Sequence, residues 1–277
     1  MSNDLTPDQA AFRQFELDGW KTSAPVYFDA IVGVNSQSVP ALLDAAGVAA
    51  GVRVLDLACG PGHIAAAAAQ RGAQVTGVDF SPQMLAQARR RYPDIAFQAG
   101  DAEALPLADA SVDAVVMGYA LFHFARPERA LAECARVLRP GGRVAFTAWA
   151  LPVPGSALAI ANACLKAHAT LDLGLPEGTP FHRFSEPDEC RRVLTVAGFV
   201  DVGFRTVPQR WRMATADDLY EGLSRASVRM KTVFQRQTPD VQQRLRAAMR
   251  QAVEAHATDD GYVLQMPAAL SWAQKPA

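Results

Sequence analysis

The sequence between residues 40 and 150 predicts an α/β domain built on a doubly wound, mostly parallel sheet. Two patterns point to this fold. Short runs rich in Val, Leu and Ala alternate with helical segments, which is the order of a parallel sheet with crossover helices. The runs are continuously apolar, as strands covered on both faces are. A third pattern locates a site on that fold. Acidic residues stand at or just past the ends of three successive strands: Asp56, Asp79 and Asp101. In an open α/β sheet that edge is where ligands bind.

The elements follow in order. A helix over 39–46 precedes the first strand, 52–57. The glycine turn Gly60-Pro61-Gly62 leads into an alanine-rich helix, 64–71, which Gly72 ends. Residues 74–78 form the second strand. Ser81 caps the next helix, with Pro82 at its first position and its end near residue 91. Strands at 95–98 and 112–117 follow. A helix over 127–138 stops at Arg139-Pro140-Gly141-Gly142 and hands over to a fifth strand, 143–148.

Pro152, Pro154 and Gly155 mark a break. Beyond it we expect a helix over 156–172, a loop over 174–180 and a helix over 185–197 capped by Ser185. One extended strand is expected over 199–212, mostly helix over 216–255 with a break at Thr238-Pro239, and a last strand over 262–272. Pro267 must then sit at an edge or bulge. The expected organisation is a lid segment (1–38), an α/β core (39–150) and a remainder (151–277). That remainder completes the sheet and carries helical cap insertions near 151–183 and 216–256.

Composition narrows the function. The chain has 277 residues, half of them hydrophobic and a fifth charged, with a net charge of −1. A bulk nucleic-acid binder would be basic. The four cysteines, Cys59, Cys134, Cys164 and Cys190, show neither metal-site spacing nor a disulfide framework. A reducing cytoplasm is the expected setting. The N-terminal stretch, with Asp4, Asp8, Glu16 and Asp18, does not read as a signal peptide, and the longest apolar run is too short to span a bilayer.

Two cofactor classes compete for the glycine turn. Gly60 to Ala65 reads G-x-G-x-x-A, which also fits a dinucleotide fingerprint. A pyrophosphate needs free N–H groups at the helix start. Pro61 removes one of them, and Asp56 would repel the phosphates. S-adenosyl-L-methionine has no phosphate. It carries an ammonium, a sulfonium, a ribose diol and an adenine amino group. Asp56 suits the ammonium, directly or through water. Asp79 suits the ribose diol, and Asp101 the adenine edge.

Five stretches then carry a resemblance: VLDLACGPG (54–62), VTGVDFSPQML (75–85), GDAEALP (100–106), VDAVVMGYALFHF (112–124) and RVLRPGGRVAF (136–146). In this order and spacing the chain resembles the class I S-adenosylmethionine-dependent methyltransferases. It is most similar to the small-molecule group that includes the ubiquinone/menaquinone-biosynthesis C-methyltransferases. The resemblance implies a seven-stranded Rossmann-like methyltransferase fold, S-adenosyl-L-methionine as cofactor and S-adenosyl-L-homocysteine as product. It also implies a small-molecule acceptor methylated on carbon or oxygen. Ala58 stands where many members have the first glycine of the turn.

The expected cofactor-binding residues are Asp56, Ala58, Gly60, Gly62, Asp79, Phe80, Met84, Asp101, Ala102 and Tyr119. Asp56 could instead cap the following helix. Phe80 and Met84 are placed to sandwich the adenine or simply to pack. Glu103 is expected to face solvent. His123, with a near-neutral reference pKa, is the candidate base, and a structural hydrogen bond explains it equally well. Tyr27, with Trp20, is the other candidate near the reacting centre, where an aromatic face stabilises a cation. Arg225, Arg229, Lys231 and Arg236 read as a solvated helix face. No metal cluster is seen. The apolar variable helices suggest a mainly apolar or aromatic acceptor, and the oligomeric state, monomer or homodimer, stays open. So does a second reading, an enzyme of secondary metabolism on the same fold that binds the cofactor without transferring methyl, such as a cyclase or decarboxylase.

Overall fold

The computed structural model describes residues 5–277. Asp4 and the start of the expected lid segment lie outside the described residues. The main sheet has seven strands: β1 (Arg53–Leu57), β2 (Gln74–Asp79), β3 (Ala96–Ala99), β4 (Val112–Gly118), β5 (Leu138–Trp149), β6 (Val200–Val207) and, last in sequence, β10 (Ala268–Gln274). Their spatial order is β3-β2-β1-β4-β5-β10-β6. The first five run parallel, and β10 is antiparallel to both its neighbours. The chain winds outward from β1 to β2 and β3, then returns to β4 on the other side of β1. That reversal opens a crevice at the carboxyl ends of β1 and β4.

Alternate residues of the central strands bury opposite faces. Leu55, Val115, Met117 and Phe146 pack into one core, while Val54, Ala114, Val116 and Ala145 pack with Leu42 and Ile64 into the other. The helices begin with α1 (Pro7–Tyr27), α2 (Gly33–Asn35), α3 (Val39–Ala45), α4 (His63–Gln70), α5 (Pro82–Arg91) and α6 (Pro127–Val137). They continue with α7 (Ala157–His168), α8 (Pro187–Val196), α9 (Asp218–Ala226), α10 (Arg229–Gln235) and α11 (Pro239–Glu254). Helix α1 opens on a capping box in which Thr6 and Gln9 exchange hydrogen bonds. It packs on α5 and α9, across the mouth of the crevice.

Four local expectations need correction. The stretch 199–212 is two strands. Pro208 lies between β6 and β7 (Arg210–Met213), and β7 leaves the main sheet. The stretch 262–272 breaks likewise at Met266-Pro267, between β9 (Gly261–Gln265) and β10. Strands β7, β9 and β8 (Ala257–Thr258) form a separate antiparallel sheet. Proline has no N–H to give a ladder, so each break falls at one. Third, Ser185 does not cap α8. Its hydroxyl donates to the His182 carbonyl at 2.5 Å, and Glu186 is the N-cap. Fourth, Lys231 is no part of a solvated face. It is 7% exposed, and its ammonium donates to Thr22 Oγ1 (2.7 Å), Ser23 Oγ (2.6 Å) and the Gly19 carbonyl (3.2 Å). Burial lowers its pKa.

Candidate active site

The turn after β1 holds its shape through three residues in the left-handed region: Ala58 (φ 55°), Gly60 (φ 53°) and Gly62 (φ 84°). Ala58 occupies a conformation that glycine adopts at lower cost. The two glycines differ in role. A Cβ on Gly62 would lie 2.8 Å from the Phe97 ring, whereas one on Gly60 would meet nothing within 4 Å. Gly62 therefore keeps the helix start close to its neighbours, and Gly60 faces open space on the cavity wall.

Asp56 stands behind this turn. It is fully buried, and its Oδ2 accepts the N–H of Ala65 at 2.9 Å, the third residue of α4. That is the helix-capping role weighed above, and Asp56 forms no part of the cavity wall. Burial pushes its carboxyl up to about 8. Asp79 does reach the wall. One oxygen accepts from Gly60 N and the other from Ser81 N, both at 2.8 Å. Ser81, not Asp79, caps α5 by accepting from Met84 N. Burial raises Asp79 to about 6, against the lowering effect of its backbone donors. Phe80, Met84 and Ala102 line the same cavity.

Asp101 also lines the cavity, with one oxygen accepting from Glu103 N at 3.0 Å and the other paired with Arg13 at 2.8 Å. Glu103 corrects the expectation of a solvent-facing side chain. It is 4% exposed, and its carboxylate takes the Arg126 guanidinium at 2.7 Å and the Arg126 amide at 2.8 Å.

Tyr119 (φ 54°) lines the cavity too and stacks on Trp149 with ring centres 4.2 Å apart. Its hydroxyl donates to Gln209 Oε1 at 2.8 Å and lies 3.0 Å from Ser38 Oγ. Tyr27 accepts from Asn35 Nδ2 at 3.0 Å. Burial raises both phenols well above their usual value, so each stays protonated. His123 Nδ1 lies 2.9 Å from Glu16 Oε2, with Trp20 packed edge-on against the ring.

Arg13, Glu16 and His63 were not singled out in the sequence. Arg13 and Glu16 lie on α1 with Trp20 and Tyr27, at spacings of three, four and seven residues, which places all four on one helix face. That spacing was the available signal. His63 lines the cavity, burial lowers its pKa to about 4, and neither ring nitrogen has a hydrogen-bond partner within the protein. The whole cavity offers about 880 Å³ of empty space, counting its open mouth. Among the described residues no group of three or more His, Cys, Asp or Glu is arranged to hold a metal, and no helix is long and apolar enough to cross a membrane.

Residues 55–146 match the model of a methyltransferase domain family. The chain is 46% identical over 112 residues to the demethylmenaquinone methyltransferase of Beutenbergia cavernae, covering 40% of this chain and 47% of that protein. It is 34% identical over 164 residues to the protein of the same name from Thermus thermophilus, covering 53% of this chain and 74% of that protein. The chain belongs to the class I S-adenosylmethionine-dependent methyltransferases. It spans about half the length of several of the curated relatives it matches. Phosphoethanolamine N-methyltransferase 2 of Haemonchus contortus shares the fold, with a TM-score of 0.60 at 21% identity over all of this chain and 62% of that one.

The cavity's donor set fits the family's cofactor. Gly60 leaves open space on the cavity wall into which a Cβ would project, and Asp79 and Asp101 supply acceptors in the same cavity. Pro61 in the turn and the Asp79 carboxylate bonded to it at Gly60 disfavour a pyrophosphate, because like charges at short range repel strongly where water is scarce. Asp56, with its carboxyl at about 8, is mostly neutral and does not add the repulsion expected of it.

Proposed function

We propose that this methyltransferase-family chain methylates a carbon or oxygen of a small, mainly apolar or aromatic molecule. Asp79 would accept from the ribose hydroxyls and Asp101 from the adenine amino group, with Phe80 and Met84 flanking the base. Asp56 would act at one remove, by fixing the turn. Bound there, S-adenosyl-L-methionine supplies an electrophilic methyl group on a good leaving group. The chain's task is then alignment, and positioning of this kind contributes roughly 7–11 kcal/mol in well-oriented systems. Helix α1 serves as the lid of this reading, closing the cavity with Trp20 and Tyr27, and the acceptor enters beside His123.

The observation that carries the reading is the lining of the cavity. One cavity brings together the carboxylates Asp79 and Asp101, the open wall at Gly60, the aromatic rings of Trp20, Tyr27 and Tyr119, and His123. The relatives from Beutenbergia cavernae and Thermus thermophilus are demethylmenaquinone methyltransferases, which supports an aromatic, quinol-like acceptor. The test is turnover against a panel of hydroquinones and phenols, followed by mass spectrometry. Formation of S-adenosyl-L-homocysteine together with a gain of one methylene's mass on the acceptor supports it. An altered acceptor without that product supports an enzyme that keeps the methyl group on its cofactor.

A further inference from the structure

We propose that Glu16 is the positioning residue for His123, and that the pair selects acceptors with an ionisable O–H. This deepens, and rests on, the methyl-transfer reading above. Glu16 is 3% exposed, and the His123 ring is the partner its carboxylate meets, 2.9 Å away and 107 residues along the chain. A buried carboxylate is costly unless its charge is matched. This one faces a ring held on two further sides, by Trp20 edge-on at 5.1 Å and by Phe122 at 4.4 Å.

The contact sets the tautomer. A carboxylate only accepts, so Nδ1 carries the proton and donates to Glu16. Nε2 then keeps its lone pair and is the ring nitrogen left for a ligand in the cavity that His123 lines. A base oriented by a third group is the logic by which weak nucleophiles are activated. The acceptor's O–H bond breaks, the proton adds to the Nε2 lone pair, and the electron pair stays on the acceptor oxygen. The imidazolium that forms is matched by Glu16.

The arrangement depends on α1. Gly19 lets that helix approach α10 closely, since a Cβ there would lie 2.2 Å from Val228 Cγ1. Lys231 binds the same turn of α1 through the Gly19 carbonyl, Thr22 and Ser23. Glu16 sits one turn away. The base is therefore complete only with α1 docked, and the acceptor's proton finds its receiver in a closed cavity.

The experiment is nitrogen-15 NMR of histidine-labelled protein saturated with S-adenosyl-L-homocysteine, recorded in mildly alkaline buffer, with His123→Asn identifying the signals. Wild type should show His123 as the Nδ1–H tautomer. Glu16→Leu should shift it to the Nε2–H form that a free histidine side chain favours, and Glu16→Gln, which keeps an accepting oxygen, should restore Nδ1–H. Turnover of 1,4-dihydroxynaphthalene should fall at least tenfold in Glu16→Leu while homocysteine-nucleoside affinity changes less than twofold. An Nε2–H tautomer in wild type, or a tautomer indifferent to Glu16→Leu, overturns the proposal. If Glu16→Leu does not fold, the wild-type tautomer alone still decides it. Absence of nucleoside binding in wild type would instead count against the methyl-transfer reading, and the tautomer is read independently of it.

Discussion

The carboxylate of Asp79 and the backbone amide of Gly60 are joined by a 2.8 Å hydrogen bond that ties the end of the second strand to the turn after the first. The residue expected to hold the ribose thus also shapes the turn beside it. Replacing Asp79 by Ala should weaken S-adenosyl-L-homocysteine binding at least tenfold, since a hydrogen bond to a charged group contributes about 1.5–3 kcal/mol. Calorimetric titration of both proteins measures it, and equal affinities would remove Asp79 from the site.

With Asp79 as the proposed ribose acceptor, binding should depend on pH. The folded Asp79 carboxyl sits at about 6, raised by burial from 3.8. Below that value it carries a proton and cannot accept freely from two hydroxyls; above it, it can. Affinity for S-adenosyl-L-homocysteine should therefore rise as pH increases through about 6 and level off. Asp79→Asn, which does not titrate, should lose that rise. A titration series across the range checks it.

Asp56 predicts the opposite slope in stability. A carboxyl raised by folding to about 8 binds its proton more tightly in the folded chain than in the unfolded one, where it sits near 3.8. Its contribution is fully present below the unfolded value and is lost as pH rises through about 8. Relative to Asp56→Asn, wild type should lose melting temperature steadily between about pH 4 and pH 8 and level off above it. Thermal denaturation of the two proteins at matched pH is the measurement, and parallel curves would contradict it.

The two turn glycines should fail in different ways. Gly62→Ala places a Cβ 2.8 Å from the Phe97 ring at a left-handed φ, so the fold should lose roughly 2–4 kcal/mol. Gly60→Ala meets no atom and pays only the backbone term of roughly 1–2 kcal/mol. Its methyl projects into the cavity where the cofactor is proposed to lie, however, so nucleoside binding should fall at least tenfold. Chemical denaturation and calorimetry on both variants separate the effects. A Gly60→Ala protein that binds normally would show that this part of the cavity is not used.

What the sequence disclosed was local. The Ser81-Pro82 helix start depends on neighbours three residues apart, and the glycine turn between β1 and α4 is a contiguous run, so both could be read directly. Glu16, Glu103 and Lys231 could not. A buried charge is settled by its partner, and those partners stand 107, 23 and 212 residues away. The strand errors have a different origin. Side chains alternate with the same period in β6 and β7, and in β9 and β10, so the pattern runs on while the chain changes sheets at Pro208 and Pro267. Asp56 was legible as a strand-end acid, but whether such an acid meets a ligand or the next helix is decided by how the turn folds back over it.

The most direct test is a calorimetric titration of the wild-type chain with S-adenosyl-L-homocysteine and, side by side, with NADH. A cavity whose carboxylates receive a phosphate-free nucleoside should give saturable heat with the first and none with the second. Saturable binding of NADH, with no response to S-adenosyl-L-homocysteine, would contradict the account at its root.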